Sequence, residues 1–174
     1  MRKSNRLEVG ELNRTEVTTS LSNLVRRKLS NNCTFWAEEV QLDFGKARVD
    51  FVGFQPFNIL QNGMCPAAID CGTFSFYEVK SCMADFNSGF GKTFAGDENY
   101  LVCERELADK LREKEMLPDG VKILVPNKPR TALILAYDCS NGFVDWKRRT
   151  KSSSEMLWNM ICARSSNKVE QILI

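Results

Sequence analysis

The chain has 174 residues, 43% of them hydrophobic and 26% charged, a formal net charge of +2, and no histidine. This is the composition of one globular domain with a substantial core, and the net charge is too small to argue for a nucleic-acid partner. The missing histidine excludes Ser-His-Asp and Cys-His hydrolysis, paired-histidine cleavage of nucleic acid and histidine-ligated metal nucleases, so a hydrolase built on this chain works with carboxylates, lysine or a metal.

Val17, Leu21, Leu24 and Val25 recur at helical spacing and predict a first helix from Thr15 to Ser30. Asn13 followed three residues later by Glu16 fits a capping box at its start. In "TFWAEEVQLDFGKARVDFVGF" two apolar-rich runs flank Phe44-Gly45-Lys46, which predicts a β-hairpin turning near Gly45, with Asp50 inside its second strand. Residues 55–72 carry Pro56, Asn62-Gly63, Pro66 and Gly72 and read as a long excursion rather than a regular element.

"TFSFYEVK" is the third predicted strand, followed by a stretch from Cys82 to Asp97 dominated by glycine and small polar residues. "ENYLVC" reads as a fourth strand and "ERELADKLREKEML" as a helix ended by Pro118. "VKILV" and "TALILAY" are further strands, and "SSSEMLWNMICARSS" is a C-terminal helix with Met156, Leu157, Met160 and Ile161 at helical spacing. Trp36 and Trp158 read most simply as core. The order α-β-β-β-β-α-β-β-α, with no repeat or linker, predicts a single mixed α/β domain over residues 1–174.

Seven cysteines are scattered without a C-x-x-C pair, which argues for reduced thiols and, with no histidine, against a zinc site. No stretch approaches the roughly 18 to 20 apolar residues that span a bilayer, and "MRKSNRLEVGELNR" carries no apolar signal core. The expectation is a cytoplasmic protein with no membrane partner.

Glu78 and Lys80 stand where a buried strand should avoid charge. Alternation places them on one face of the third strand, with Tyr77 and Val79 on the other. Ionised groups in a buried strand cost several kcal/mol each unless paired or bound to a metal. Asp50, set among Val49, Phe51 and Val52, is equally out of place. If the second and third strands pair, Asp50 and Glu78 supply two hard oxygen ligands of the kind that hold Mg²⁺, and Lys80 faces the same substrate phosphate. In a chain of 13 glutamates and 12 lysines a Glu-x-Lys triplet arises about once by chance, so exposed charges or an edge-strand pair remain open readings. Asp145-Trp146-Lys147, a near-match that runs into Arg148 and Arg149, reads better as a solvated turn.

"RVDFVGF" followed by "FYEVKS", with an acidic helix before them, resembles the PD-(D/E)XK nuclease superfamily. More narrowly, "YEVKSCMADFNSGFGKTFAGDENYLVCERELADKL" resembles small phage and mobile-element members related to the MmcB-like DNA-repair group. The resemblance runs from Thr15 to Pro126 and more loosely over the strand and helix of 131–165. It implies a restriction-endonuclease-like core, a mixed central sheet flanked by helices. It further implies a DNA endonuclease dependent on Mg²⁺, with Mn²⁺ as a substitute, in phage or mobile-element DNA processing or repair. Asp50, Glu78 and the Val79 carbonyl would be metal ligands, Lys80 the catalytic lysine, and Glu16 the acidic residue of the first helix, although the capping box explains Glu16 equally well. The interval from Asp50 to Glu78 is longer than in compact superfamily members because of the 55–72 excursion, and no proline precedes Asp50.

Glu38 and Glu39 fall on opposite faces of the first hairpin strand, and Glu39 is a candidate to support the site from behind. Lys92, the pair Arg26 and Arg27, and the run Lys147, Arg148 and Arg149 are candidate DNA-phosphate contacts, although such runs are more often solvated faces. The rival to an enzyme is a non-cleaving nucleic-acid- or protein-binding module, including an anti-defence or assembly factor, that retains the fold.

Overall fold

The computed structural model describes residues 13–58, 63, 65–89, 93–140 and 149–172. Helix α1 (Arg14–Asn32) opens with the expected capping box: Glu16 N–H donates to Asn13 Oδ1 at 3.0 Å, and Asn13 N–H donates to Glu16 Oε2 at 2.9 Å. Its buried stripe is Leu21, Leu24, Val25 and Leu29. Strands β1 (Phe35–Leu42) and β2 (Ala47–Gln55) form the predicted hairpin, closed by a 3-10 turn at Asp43–Gly45 in which Gly45 has φ +84°.

The 55–72 excursion contains a five-residue helix, α2 (Pro66–Asp70), with proline in its first turn. Strand β3 (Thr73–Lys80) and strand β4 (Glu98–Cys103) occupy the predicted residues, and between them lies a second short helix, α3 (Met83–Asn87), that the sequence reading does not contain. One turn and a half of helix is too short to display a 3.6-residue period.

Helix α4 (Arg105–Glu113) stops well before Pro118. Glu115 adopts φ +54°, its N–H donates to Arg112 O and that of Met116 donates to Leu111 O, which together make a Schellman closure. Glycine normally marks this stop, so a glutamate there leaves no signal in the sequence. Strands β5 (Lys122–Pro126) and β6 (Leu133–Asp138) and helix α5 (Ser153–Ile172) complete the described chain.

The strands form a single six-stranded sheet in the order β1-β2-β3-β4-β5-β6. Pairing is antiparallel for β1–β2, β2–β3 and β5–β6, and parallel for β3–β4 and β4–β5. Helix α1 lies on one face, where Leu21, Val25 and Leu29 meet Phe51, Tyr77, Val79, Val102 and Leu124. The other face is covered by α5, through Met156 and Met160 against Val52, Phe54, Phe74 and Phe76, and by α4, through Leu107 and Leu111 against Leu101 and Ile123. This is the mixed, helix-flanked single-domain α/β architecture the sequence predicts.

Trp36 is half-buried beside the α1 layer. Trp158 is not core: it is 65% exposed, because Met156 and Met160, one helical turn apart, define the packed side of α5 and residue 158 falls on the opposite side. Among the described residues, which include all seven cysteines, there is no disulfide. Among the described residues no helix is long and apolar enough to cross a membrane.

Candidate functional site

The β1–β2 ladder breaks where Asp50 lies. Glu38 pairs with Phe51 and Val40 with Val49, leaving Glu39 opposite Asp50 outside the ladder, with a left-handed φ of 53°. Alternation breaks at the same place, since Val49 and Val52 belong to one cluster while Phe51 joins the α1 layer. The β2–β3 ladder also ends there, its last pair being Phe51 with Tyr77. Asp50 fills the gap: its Oδ2 accepts the Val79 N–H at 2.8 Å, in place of a backbone carbonyl.

Extending that register by one step sets Glu78 opposite Asp50. Glu78 is fully buried, and both carboxylate oxygens lack a hydrogen-bond partner among the described residues. Burial, followed by the nearby Asp50 carboxylate, pushes its pKa up from 4.5 to about 9, against the opposing pull of Lys80 and Arg48. A buried carboxylate in this state holds a proton or a cation. Lys80, 5% exposed, closes the group at the end of β3, its strand running on beside β4 to the Lys80–Cys103 pair.

Asp50, Val79 and Lys80 lie on the wall of a cleft of about 810 Å³ bounded by the first three turns of α1, the β1–β2 hairpin and α3. Glu78 does not reach the cleft surface; it sits behind these residues. Basic and acidic side chains alternate around the rim: Arg14 pairs with Asp85 at 3.1 Å, Arg26 with Glu38 at 2.5 Å and Arg48 with Glu39 at 2.9 Å. Burial pushes the Glu39 carboxyl up, Arg48 pulls it down, and Asp50 and Glu38 add to the rise, giving a net upward shift. Asp85 shifts the other way. Burial raises it, but the Ser81 N–H at 3.0 Å, the Lys80 ammonium, the Ser81 hydroxyl at 3.1 Å and Arg14 more than offset that.

The three residues at the centre of the sequence reading, Asp50, Glu78 and Lys80, are thus brought together, with Val79 hydrogen-bonded to the first of them. Glu16 is elsewhere: its carboxylate is committed to the capping box, and its neighbours Arg14 and Thr18 line the cleft instead. Arg26 does line the cleft, but as a bidentate partner of Glu38 stacked over Phe51 at 5.6 Å. Arg27 points away from it and donates to Thr131 O. Arg149 packs over the Phe74 ring at 5.0 Å, with Asp97 at 3.6 Å and the Asp70 carbonyl at 3.2 Å, clear of the cleft. Lys92, Lys147 and Arg148 lie outside the described residues, as does the Asp145-Trp146-Lys147 turn.

Arg14, Arg48 and Asp85 escape sequence reasoning. Asp85 had one local signal: a serine four residues upstream, at the end of a charged strand, suits an aspartate that closes the turn. Arg14 and Arg48 had none, since their place on the rim depends on how α1 docks against the hairpin. Among the described residues no group of three or more His, Cys, Asp or Glu side chains could hold a metal ion, so the candidate carboxylate set is the pair Asp50 and Glu78.

The fold and the cleft define a mixed α/β domain with a buried glutamate and a half-buried, cleft-lining aspartate at a break in its sheet. No protein-family model matches the chain, and no curated protein matches it. Among solved structures it is similar to the SPO1766 protein of unknown function from Silicibacter pomeroyi, with a TM-score of 0.57, 16% identity and 90% of each chain covered. At that identity the likeness is one of fold.

Proposed function

We propose that this protein is a divalent-metal-dependent deoxyribonuclease with a PD-(D/E)XK-type site, hydrolysing phosphodiester bonds at the cleft that holds Asp50 and Lys80. The observation that carries the reading is Glu78: a fully buried carboxylate whose two oxygens have no geometric hydrogen-bond partner among the described residues, one strand away from a second carboxylate that raises its pKa. Apart from α2, which lies in the 55–72 excursion between β2 and β3, the order α1-β1-β2-β3-α3-β4 supports it, being that of the helix, three-strand meander, helix and strand of that superfamily's core.

The residues fit a hard cation. Mg²⁺ characteristically takes one or two protein carboxylates and completes its octahedron with water and substrate phosphate, and Asp50 and Glu78 offer that number. Asp50 would be one ligand, Glu78 the other and the Val79 carbonyl a third, and the cation would lower the pKa of an attacking water and offset charge on the phosphate. The chain's own part is positional. The Val79 N–H fixes the Asp50 carboxylate, the sheet fixes Glu78, and Lys80, at the cleft wall, would orient the attacking water by hydrogen bonding or stabilise the charge developing on the phosphate. Histidine has no task in this scheme.

Two measurements test it. Mn²⁺ binding followed by calorimetry is expected for the native chain and lost in Asp50→Ala and Glu78→Ala. Nicking or cleavage of plasmid, single-stranded and branched DNA is expected with Mg²⁺ and lost, by a factor of at least about 10² as for removal of a transition-state donor, in Lys80→Ala. Metal binding without cleavage of any of these substrates would sink the enzyme reading and leave a non-cleaving nucleic-acid- or protein-binding module of the same fold.

A further inference from the structure

On the reading of the cleft as a phosphodiester site, we propose that Arg48 and Arg14 are its substrate-phosphate anchors, each held in reserve by a carboxylate that it leaves when DNA binds. Among the described residues three arginines line the cleft, and their settings differ. Arg26 is fixed: its Nε and Nη2 grip both oxygens of Glu38 at 2.7 and 2.5 Å, and its guanidinium covers Phe51. Arg48 and Arg14 are tied by single contacts of 2.9 and 3.1 Å, and their side chains are 63% and 66% exposed. The Arg48–Glu39 pair is exposed on both sides and adds little stability, and Asp85, 19% exposed, is held by Ser81 as well as by Arg14, so exchanging either carboxylate for a phosphate costs little.

The carboxylates left behind are provided for. Asp85 keeps two bonds from Ser81, through the backbone N–H and the hydroxyl. Glu39 is 55% exposed and returns to water. Glu39 also reaches Arg48 from a left-handed backbone at the one gap in the β1–β2 ladder, a conformation that a non-glycine residue adopts only where the surroundings enforce it. That gap is opposite Asp50. The two arginines come from different elements, α1 and β2, and both line the cleft that holds Asp50 and Lys80. A polyanion crossing that wall meets one anchor from the helix and one from the hairpin.

The test is oligonucleotide binding by the full chain in chelator, followed by fluorescence anisotropy at a series of salt concentrations with single-stranded and duplex DNA. Loss of one phosphate contact lowers the slope of log K against log salt by about 0.7 for single strands and about 0.9 for duplex. Arg48→Ala and Arg14→Ala are each expected to show that drop, Arg48→Lys to restore the slope, and Arg27→Ala to leave it unchanged. Glu39→Gln, which frees Arg48 without removing it, is expected to tighten binding; it carries the test alone if Arg48→Ala does not fold. Native slopes in both alanine variants, or unchanged or weaker binding by Glu39→Gln, overturn the proposal while leaving the nuclease reading in place. Absence of DNA binding by the native chain in chelator overturns this proposal, whereas the nuclease reading falls only if Mg²⁺ supports no cleavage.

Discussion

Glu78 concentrates the cost of the site in a single side chain. The folded, metal-free protein keeps a proton on Glu78 up to about pH 9, whereas a glutamate in the unfolded chain releases it near 4.5. Across that window the folded state binds more protons, so raising the pH destabilises it, by up to about 1.4 kcal/mol for each pH unit. Urea unfolding in chelator between pH 5 and pH 9 is expected to show this decline in the native chain and a flatter profile in Glu78→Gln, which carries no charge to bury. A native profile as flat as that of the variant would mean that Glu78 is solvated or paired. The sequence marked Asp50, Glu78 and Lys80 because charge in an apolar strand is an anomaly visible in one dimension. That Glu78 lies behind the cleft surface, and that Asp50 caps the Val79 N–H, depend on where two ladders end, which no residue pattern announces.

At the scale of elements, the strands "TFSFYEVK" and "ENYLVC" were legible to the residue because each is rich in aromatic or β-branched residues and has a turn signal before it. The elements that were not legible are short or end irregularly: α2 and α3 have five residues each, and α4 stops at a glutamate in a left-handed conformation. Glu16 shows how one residue invites two readings. Its carboxylate closes the α1 capping box, so Glu16→Ala is expected to lower stability by about 0.5 to 1 kcal/mol, and Asn13→Ala by about 1 kcal/mol. Neither change should alter Mn²⁺ affinity. A loss of metal binding in Glu16→Ala, measured by calorimetry on protein shown to be folded, would instead bring the helix glutamate into the site.

For the molecule as a whole, metal binding and folding are linked. A ligand that binds only the folded state stabilises it by about 2.7 kcal/mol at 100 times its dissociation constant. Mn²⁺ is therefore expected to raise the melting temperature of the native chain in a concentration-dependent way and to leave that of Asp50→Asn unmoved. The same shift in both would place the ion elsewhere. Reductant should leave the melting temperature unaltered, since none of the seven cysteines is in a disulfide.

The strands lie side by side in the order in which the chain supplies them. Each new strand therefore finds its neighbour already at the growing edge, and the sheet can assemble by successive addition, with short closures before long ones. Helix α5 is the exception. It follows β6, at one edge, yet buries Met156 and Met160 against Ala37 and Val40 of β1 at the other. The apolar layer over the hairpin that carries Asp50 is sealed only when that last helix docks, which makes the return of α5 the long-range closure on which the ordering of the β1–β2 end waits.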